Sequence, residues 1–188
     1  GDDLPMRQLI DIPSCVPAVP GLENAGAEFF AAEVEELSGL DRVIGLAEVM
    51  DFLAVIHGED RMMDIIDVMD KKGLYLQGHA PYVSGRMLSA YLCGGPNTCH
   101  ETRDRKEALE KLRSGMFVDA RDSSITKNVQ EVYEGVKGVR FFDHLCLCTD
   151  DREADDILHV GHMNDVVRTA IRCGMDPVTA IKSATLNT

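Results

Sequence analysis

Four residues of this chain carry metal-binding side chains at the ends of short apolar runs. They are Glu48 in Gly45-Leu46-Ala47-Glu48-Val49-Met50, His79 in Gly78-His79-Ala80-Pro81, His100 in Cys99-His100-Glu101, and Asp150 in Cys148-Thr149-Asp150-Asp151. Imidazole and carboxylate suit borderline-to-hard divalent ions, and an ion so held can lower the pKa of a bound water for hydrolysis. Taken one at a time, each has a plain explanation. A glutamate after a strand is commonly a solvated loop residue, a histidine before Ala-Pro a loop or cap residue, His100-Glu101 a helix N-terminal pair, and Asp150-Asp151 a helix cap. Their shared placement at strand ends is what singles them out.

The elements that must position them alternate along the chain. Apolar runs read as strands at 8–16, 42–50, 74–78, 98–101, 116–120 and 139–149, the last with a break near Asp143-His144. Helical spacing falls at 27–37, 61–72, 85–93, 105–113 and 128–136, then at 157–173 and 177–186. In the 61–72 segment, Met62, Ile65, Ile66 and Met69 recur on one helical face, and Gly73 ends it. Ala108, Leu109 and Leu112 are expected on the buried side of the 105–113 helix. Strand–helix alternation implies right-handed crossovers and a parallel sheet. Six such units match a (β/α)8 barrel, an α/β fold, truncated to roughly strands 3–8. No glycine-rich GxGxxG loop or Walker motif is present, so a nucleotide-binding doubly wound sheet has no support.

In a barrel of this kind the carboxyl ends of the strands form the active face. Period-two alternation puts Ile44, Leu46 and Glu48 on one face of their strand, and does the same for Tyr75, Gln77 and His79 and for Cys146, Cys148 and Asp150. Each candidate is then the last inward residue of its strand. Glu48 to His79 spans 31 positions and His79 to His100 spans 21, one βα unit each; His100 to Asp150 spans 50, two units. The intervening strand at 116–120 supplies no ligand on this reading.

Composition narrows the class. A formal net charge of −13 argues against binding to nucleic acid, and no apolar stretch is long enough to span a bilayer. Cys15, Cys93, Cys99, Cys146, Cys148 and Cys173 form no CxxC pair or zinc-knuckle spacing, and several lie in apolar runs. A reduced, cytoplasmic setting is expected. There is no signal-peptide pattern. The start at Gly1-Asp2-Asp3 and the end at Asn187-Thr188 read as cut ends of an internal fragment, with residues 1–188 forming one portion of a catalytic barrel.

An ordered series of motifs makes the reading specific. It runs Pro13-Ser14-Cys15-Val16-Pro17-Ala18, Gly26-Ala27-Glu28, the Glu48, His79 and His100 motifs above, Ala108-Leu109-Glu110-Lys111-Leu112-Arg113-Ser114-Gly115-Met116, Cys148-Thr149-Asp150-Asp151-Arg152 and Ala184-Thr185-Leu186-Asn187. Over nearly the whole chain this series resembles the adenine deaminases of the amidohydrolase superfamily. The resemblance implies a metal-centred barrel with a small added β domain, and two divalent ions, Mn2+ or Fe2+, with Zn2+ admissible. It implies that Glu48 bridges the two ions, that His79 and His100 bind one, and that Asp150 binds the other. The His-x-His pair of that family's first strand has no counterpart here, and neither do its first two βα units nor its small β domain.

The implied reaction is hydrolysis at C6 of adenine, giving hypoxanthine and ammonia. Asp150 would take the proton from the attacking water and pass it to the leaving amine. Glu101 is the candidate to protonate a ring nitrogen. Arg121 and Ser123, with Ser124, are candidates to line the substrate pocket. His57 is expected in a loop after Glu48 and His144 in a structural or solvent-facing role; His159 and His162, three apart, could share a helix face. Two alternatives stand beside this reading. One is another metal-dependent amidohydrolase, such as a cyclic amidase or a deacetylase; the other is an inactive fragment. A barrel lacking two strands would expose sheet edges, so the partners expected are the small-molecule substrate and either a homo-oligomer or the remainder of the same enzyme, with neither nucleic acid nor membrane involved.

Overall fold

The computed structural model describes residues 5–188; Gly1, Asp2 and Asp3, read above as a cut end, lie outside the described residues. The chain divides into two compact units, one of residues up to Ala80 together with Ser89–Asn97, the other of Pro81–Leu88 with Thr98–Thr188.

The first unit holds β1 (Ile10–Ile12), α1 (Ala31–Leu37), β2 (Val43–Val49), α2 (Phe52–His57), α3 (Asp60–Lys71) and β3 (Tyr75–Gly78). The strands form a parallel sheet in chain order, as the alternation of elements predicts. Met62, Ile65, Ile66 and Met69 are all buried on the inner face of α3, as the helical spacing predicts. Gly45 is required at the sheet's centre. A Cβ there would lie 2.7 Å from Asp11 Oδ1 and 2.8 Å from the Tyr75 carbonyl oxygen, closer than atoms can approach. His57 is not in a loop, as the sequence suggested, but closes α2. Asp51 caps that helix by accepting from the Ala54 amide at 3.1 Å, and Gly58 ends it in the left-handed region. Six residues are too few to show a helical period.

Helix α4 (Gly85–Cys93) follows, and the second unit continues with β4 (Thr98–Cys99), α5 (Arg105–Arg113), β5 (Phe117–Arg121), α6 (Val129–Val136), β6 (Leu145–Cys148), α7 (Ala154–His159), α8 (Met163–Arg172) and α9 (Pro177–Ser183). Its sheet is again parallel with strands in chain order. Val118, Ala120, Leu145 and Leu147 turn one face of that sheet into a core shared with Ala108, Val129, Val132, Val136, Val166 and Ala170. The single long helix expected over 157–173 is two helices. Gly161, at φ 132°, breaks the chain between them, so His159 ends α7 and His162 caps α8, and the two do not share a helix face.

The inner face of α5 also differs from expectation. Its buried residues are Glu107, Ala108 and Lys111, whereas Leu109 and Leu112 are only partly covered. Lys111 can be wholly buried because its ammonium donates to Glu107 at 2.6 Å and to the Cys99 thiol at 3.2 Å. A buried charge survives when it is paired and hydrogen-bonded. A pattern of apolar residues cannot reveal such a pair.

Helices α5 and α6 meet at Gly135. A Cβ there would fall 2.3 Å from the Arg105 carbonyl oxygen and 2.7 Å from its Cα. Gly135→Ala is therefore expected to destabilise the fold by about 1–3 kcal/mol through overpacking, measured by urea unfolding. Gly138→Ala, whose Cβ meets nothing within 4 Å, should stay within about 0.5 kcal/mol. Equal effects at the two positions would count against this packing.

Candidate functional site

In the first unit, Glu48 and His79 meet at the carboxyl ends of β2 and β3. The His79 Nδ1 lies 2.6 Å from Glu48 Oε2. The strict alternation expected along β2 does not reach Glu48. The pairing of β2 with β3 slips between Leu46 and Val49, and both of those residues are fully buried. A local irregularity of this kind re-aims a side chain, here Glu48. Two residues of the Pro13-Ser14-Cys15 segment secure it. The buried Ser14 hydroxyl donates to the Glu48 carbonyl at 2.7 Å, and the Cys15 thiol donates to the same oxygen at 3.1 Å. The His79 main chain is fixed by its amide, which donates to the hydroxyl of the fully buried Tyr91 at 3.1 Å.

In the second unit, His100, Glu101 and Asp150 bring one donor atom each to within 4.8 Å of one another. Glu101 is buried. Its two carboxylate oxygens receive the guanidiniums of Arg121 and Arg103, and Arg121 also pairs with Asp150. Asp150 sits just beyond β6 at φ 51°, a left-handed conformation uncommon for a residue with a side chain and frequent at functional sites. Asp151 is exposed, and of the Asp-Asp pair it is Asp150 that joins the group with His100 and Glu101.

Several residues that build this cluster escaped the sequence reading. Asn128 stitches it together. Its amide donates to the carbonyls of His100 at 3.1 Å and Thr102 at 3.0 Å, and its oxygen accepts the Arg121 amide at 2.7 Å. Glu107, held by Lys111, accepts the amides of Arg103 and Tyr82, both at 2.8 Å, and so anchors the segment that carries Glu101. The only sequence signal for Asn128 was its place at the start of a helix; Glu107 gave none. Ser123, expected at the pocket, uses its hydroxyl locally. It donates to the Thr126 carbonyl and accepts the Thr126 amide, both at 2.8 Å. His144 is structural. Its ring stacks on Phe117 and bonds the Gly115 carbonyl at 2.9 Å.

The strand expected to supply no ligand carries Asp119. Val118 and Ala120 face the helices, so Asp119 and Arg121 face the other side of the sheet with Cys146 and Cys148, their partners across the ladder. Burial pushes the Asp119 carboxyl up from 3.8 to about 6, against the opposing pull of the His100 charge and a hydrogen bond with Cys146. Burial, together with the Asp119 charge, raises both thiols well above their ordinary range, which leaves them inert as nucleophiles.

No protein-family model matches the chain. It is 37% identical over 187 residues to an adenine deaminase of Petrotoga mobilis, covering 100% of this chain and 32% of that protein. Against an adenine deaminase of Staphylothermus marinus it is 40% identical over 189 residues, covering 98% and 31%. An adenine deaminase 2 of Carboxydothermus hydrogenoformans is 37% identical over 186 residues, covering 98% and 32%. The chain is homologous to the adenine deaminases. It spans about a third of the length of the curated relatives it matches, and that third contains every candidate ligand named above.

Asp119 gives this unit a pH signature. Its folded carboxyl keeps its proton to higher pH than the ordinary 3.8 of an unfolded aspartate. Its contribution to stability is therefore largest at low pH and declines as pH rises from about 4 through about 6. Asp119→Asn should remove a decline on the order of 3 kcal/mol between pH 4 and 7, measured by urea unfolding in EDTA. Identical pH profiles for the two proteins would count against a raised Asp119 carboxyl.

Proposed function

We propose that this chain is the ligand-bearing part of an enzyme that hydrolyses adenine to hypoxanthine and ammonia at a centre of two divalent ions, Mn2+ or Fe2+. The observation that carries the reading is the meeting of His100, Glu101 and Asp150 in a chain similar along its length to adenine deaminases. The barrel is part of the same proposal. Among the described residues the strands of each sheet are parallel and follow chain order, as consecutive strands of a (β/α)8 barrel do. Six free cysteines fit a reducing, cytoplasmic compartment. Among the described residues no helix is long and apolar enough to cross a membrane.

The donor set fits the ions. Carboxylate and imidazole suit Mn2+ and Fe2+, and the close approach of three donors in one unit and of Glu48 to His79 in the other is what a ligand set requires. Glu48, His79, His100 and Asp150 would hold the metal. When bound, it lowers the pKa of a water so that a nucleophile exists near neutral pH. The remaining work falls to side chains of this chain. The Asp150 carboxylate accepts the proton of the attacking water and delivers it to the leaving amine. Arg121 holds Asp150 in place. Glu101, buried next to His100 in the chain, is our candidate to serve a ring nitrogen of the purine, and the turn closed by Ser123 follows β5.

The test is ammonia release from adenine by the full-length protein supplied with Mn2+. Activity is expected, and Asp150→Asn should lower kcat by about 10²–10⁴ with the fold retained. Glu101→Gln should cost a similar factor, and Glu48→Gln should lower metal content. A full-length protein that binds two ions yet releases no ammonia from adenine would defeat the substrate assignment and turn attention to cyclic amides.

A further inference from the structure

Tyr82 has no place in the reaction outlined above, and its conformation is unfavourable. It lies in the segment leading into α4, 73% exposed, with its backbone at φ 59°. A bulky residue seldom adopts that left-handed region. Such strain persists only where the surroundings over-determine it, and it gathers at functional sites. Here the surroundings are specific. The Tyr82 amide donates to Glu107 Oε1 at 2.8 Å, and the Gly85 amide donates to Glu110 Oε1 at 2.6 Å. Val83, between them, is buried. Glu107 is itself buried and is held by the Lys111 ammonium at 2.6 Å. A buried ion pair thus fixes the main chain of an exposed aromatic residue in a conformation it would otherwise leave.

The second oxygen of Glu107 shows what lies beside it. That oxygen accepts the Arg103 amide at 2.8 Å, so one carboxylate ties the main chains of Tyr82 and Arg103 together. The Arg103 guanidinium in turn pairs with Glu101, the carboxylate assigned to a ring nitrogen of the purine. The Arg103 side chain is 38% exposed and that of Glu101 only 4%, so Arg103 marks the side from which Glu101 meets solvent. An anchored, exposed aromatic residue therefore neighbours the approach to Glu101. Adenine is a flat, uncharged aromatic base. A tyrosine ring, with two side-chain torsions, offers contact area at small entropic cost, and bases stack on such rings whatever the pattern of their edges. We propose that Tyr82 is a substrate-binding residue whose ring stacks on the face of the purine while Glu101 serves its edge, so that the site favours flat aromatic bases over saturated cyclic amides. This rests on the reading of the site as one that hydrolyses adenine.

The experiment uses the full-length protein supplied with Mn2+. It measures ammonia release over a range of adenine concentrations and, separately, the binding of unsubstituted purine by equilibrium dialysis. Tyr82→Gly removes the ring and suits the left-handed backbone, so this variant is expected to fold with a Tm no lower than that of the wild type. Its KM for adenine should rise roughly 5–100-fold, its kcat should change much less, and its Kd for purine should rise by the same factor as KM. Tyr82→Asn, which also tolerates that backbone, should behave alike and covers the case in which glycine loosens the segment. Tyr82→Phe, which keeps the ring, should bring KM and Kd back close to the wild-type values. Unchanged KM and Kd in Tyr82→Gly and Tyr82→Asn would overturn the stacking role. So would a loss in Tyr82→Phe as large as in Tyr82→Gly, because the ring would then not be what binds. A wild type that binds purine but releases no ammonia from adenine would overturn the reaction instead, and the Kd comparison would still decide the role of Tyr82. A wild type that binds no purine would overturn both.

Discussion

The guanidinium of Arg121 is the interaction on which the second unit's site depends. Glu101 and Asp150 reach the same small volume from different strand ends, and two carboxylates at that separation repel. Arg121 pairs with both. Being almost fully buried itself, it exerts that attraction where water screens it little. Removing one partner from a buried group of this kind is far more damaging than its net worth suggests, because the charge left behind has no solvent to turn to. The loop after β4, the end of β5 and the start of the chain after β6 therefore hold their relative places through one side chain. Asn128 repeats the same connection through the backbone.

Support then runs outward in layers. Glu107 fixes the segment behind Glu101 and is itself held by the buried Lys111. That helix face is polar where a packing argument would make it apolar. The polar face costs desolvation, which the 2.6 Å pairing and the two amide contacts offset. In the first unit the anchoring is different. Glu48 is aimed by an irregularity in strand pairing and gripped through its carbonyl by Ser14 and Cys15, so its carboxylate is left to meet His79. In both units the ligand candidates stand on strand ends while helices and neighbouring loops supply the hydrogen bonds that orient them. This division of labour suits a site that must keep its geometry when a doubly charged ion is bound or lost.

Which parts could be read in advance follows from the physics of each signal. Helices α4 and α5 have the bounds that their caps and glycines indicate, since Asp104 and Gly115 act locally. The strand-end placement of Glu48, His79, His100 and Asp150 was legible because apolar runs and polar residues alternate sharply there. The slip at Glu48 was not, because register depends on the partner strand. Nor was the inward turn of Lys111, since a lysine at i+4 from a glutamate ordinarily describes a solvated face. Asp119 was passed over for a similar reason. A lone aspartate in a short strand looks like an edge residue until the ladder with Cys146 shows which side it faces.

Asp119 and Arg121 alternate on one face of the same strand, yet their charges serve opposite ends of the problem. Arg121 brings positive charge to where carboxylates gather; Asp119 meets the Cys146 thiol of the neighbouring strand. Exchanging the two would take the cation away from Glu101 and Asp150 and set a further carboxylate beside them, where like charges repel. The order of the two residues along β5, set by a two-residue period and by the rung each occupies, is therefore a chemical constraint as much as a packing one. It explains how a strand with no ligand of its own can govern the ligands on either side.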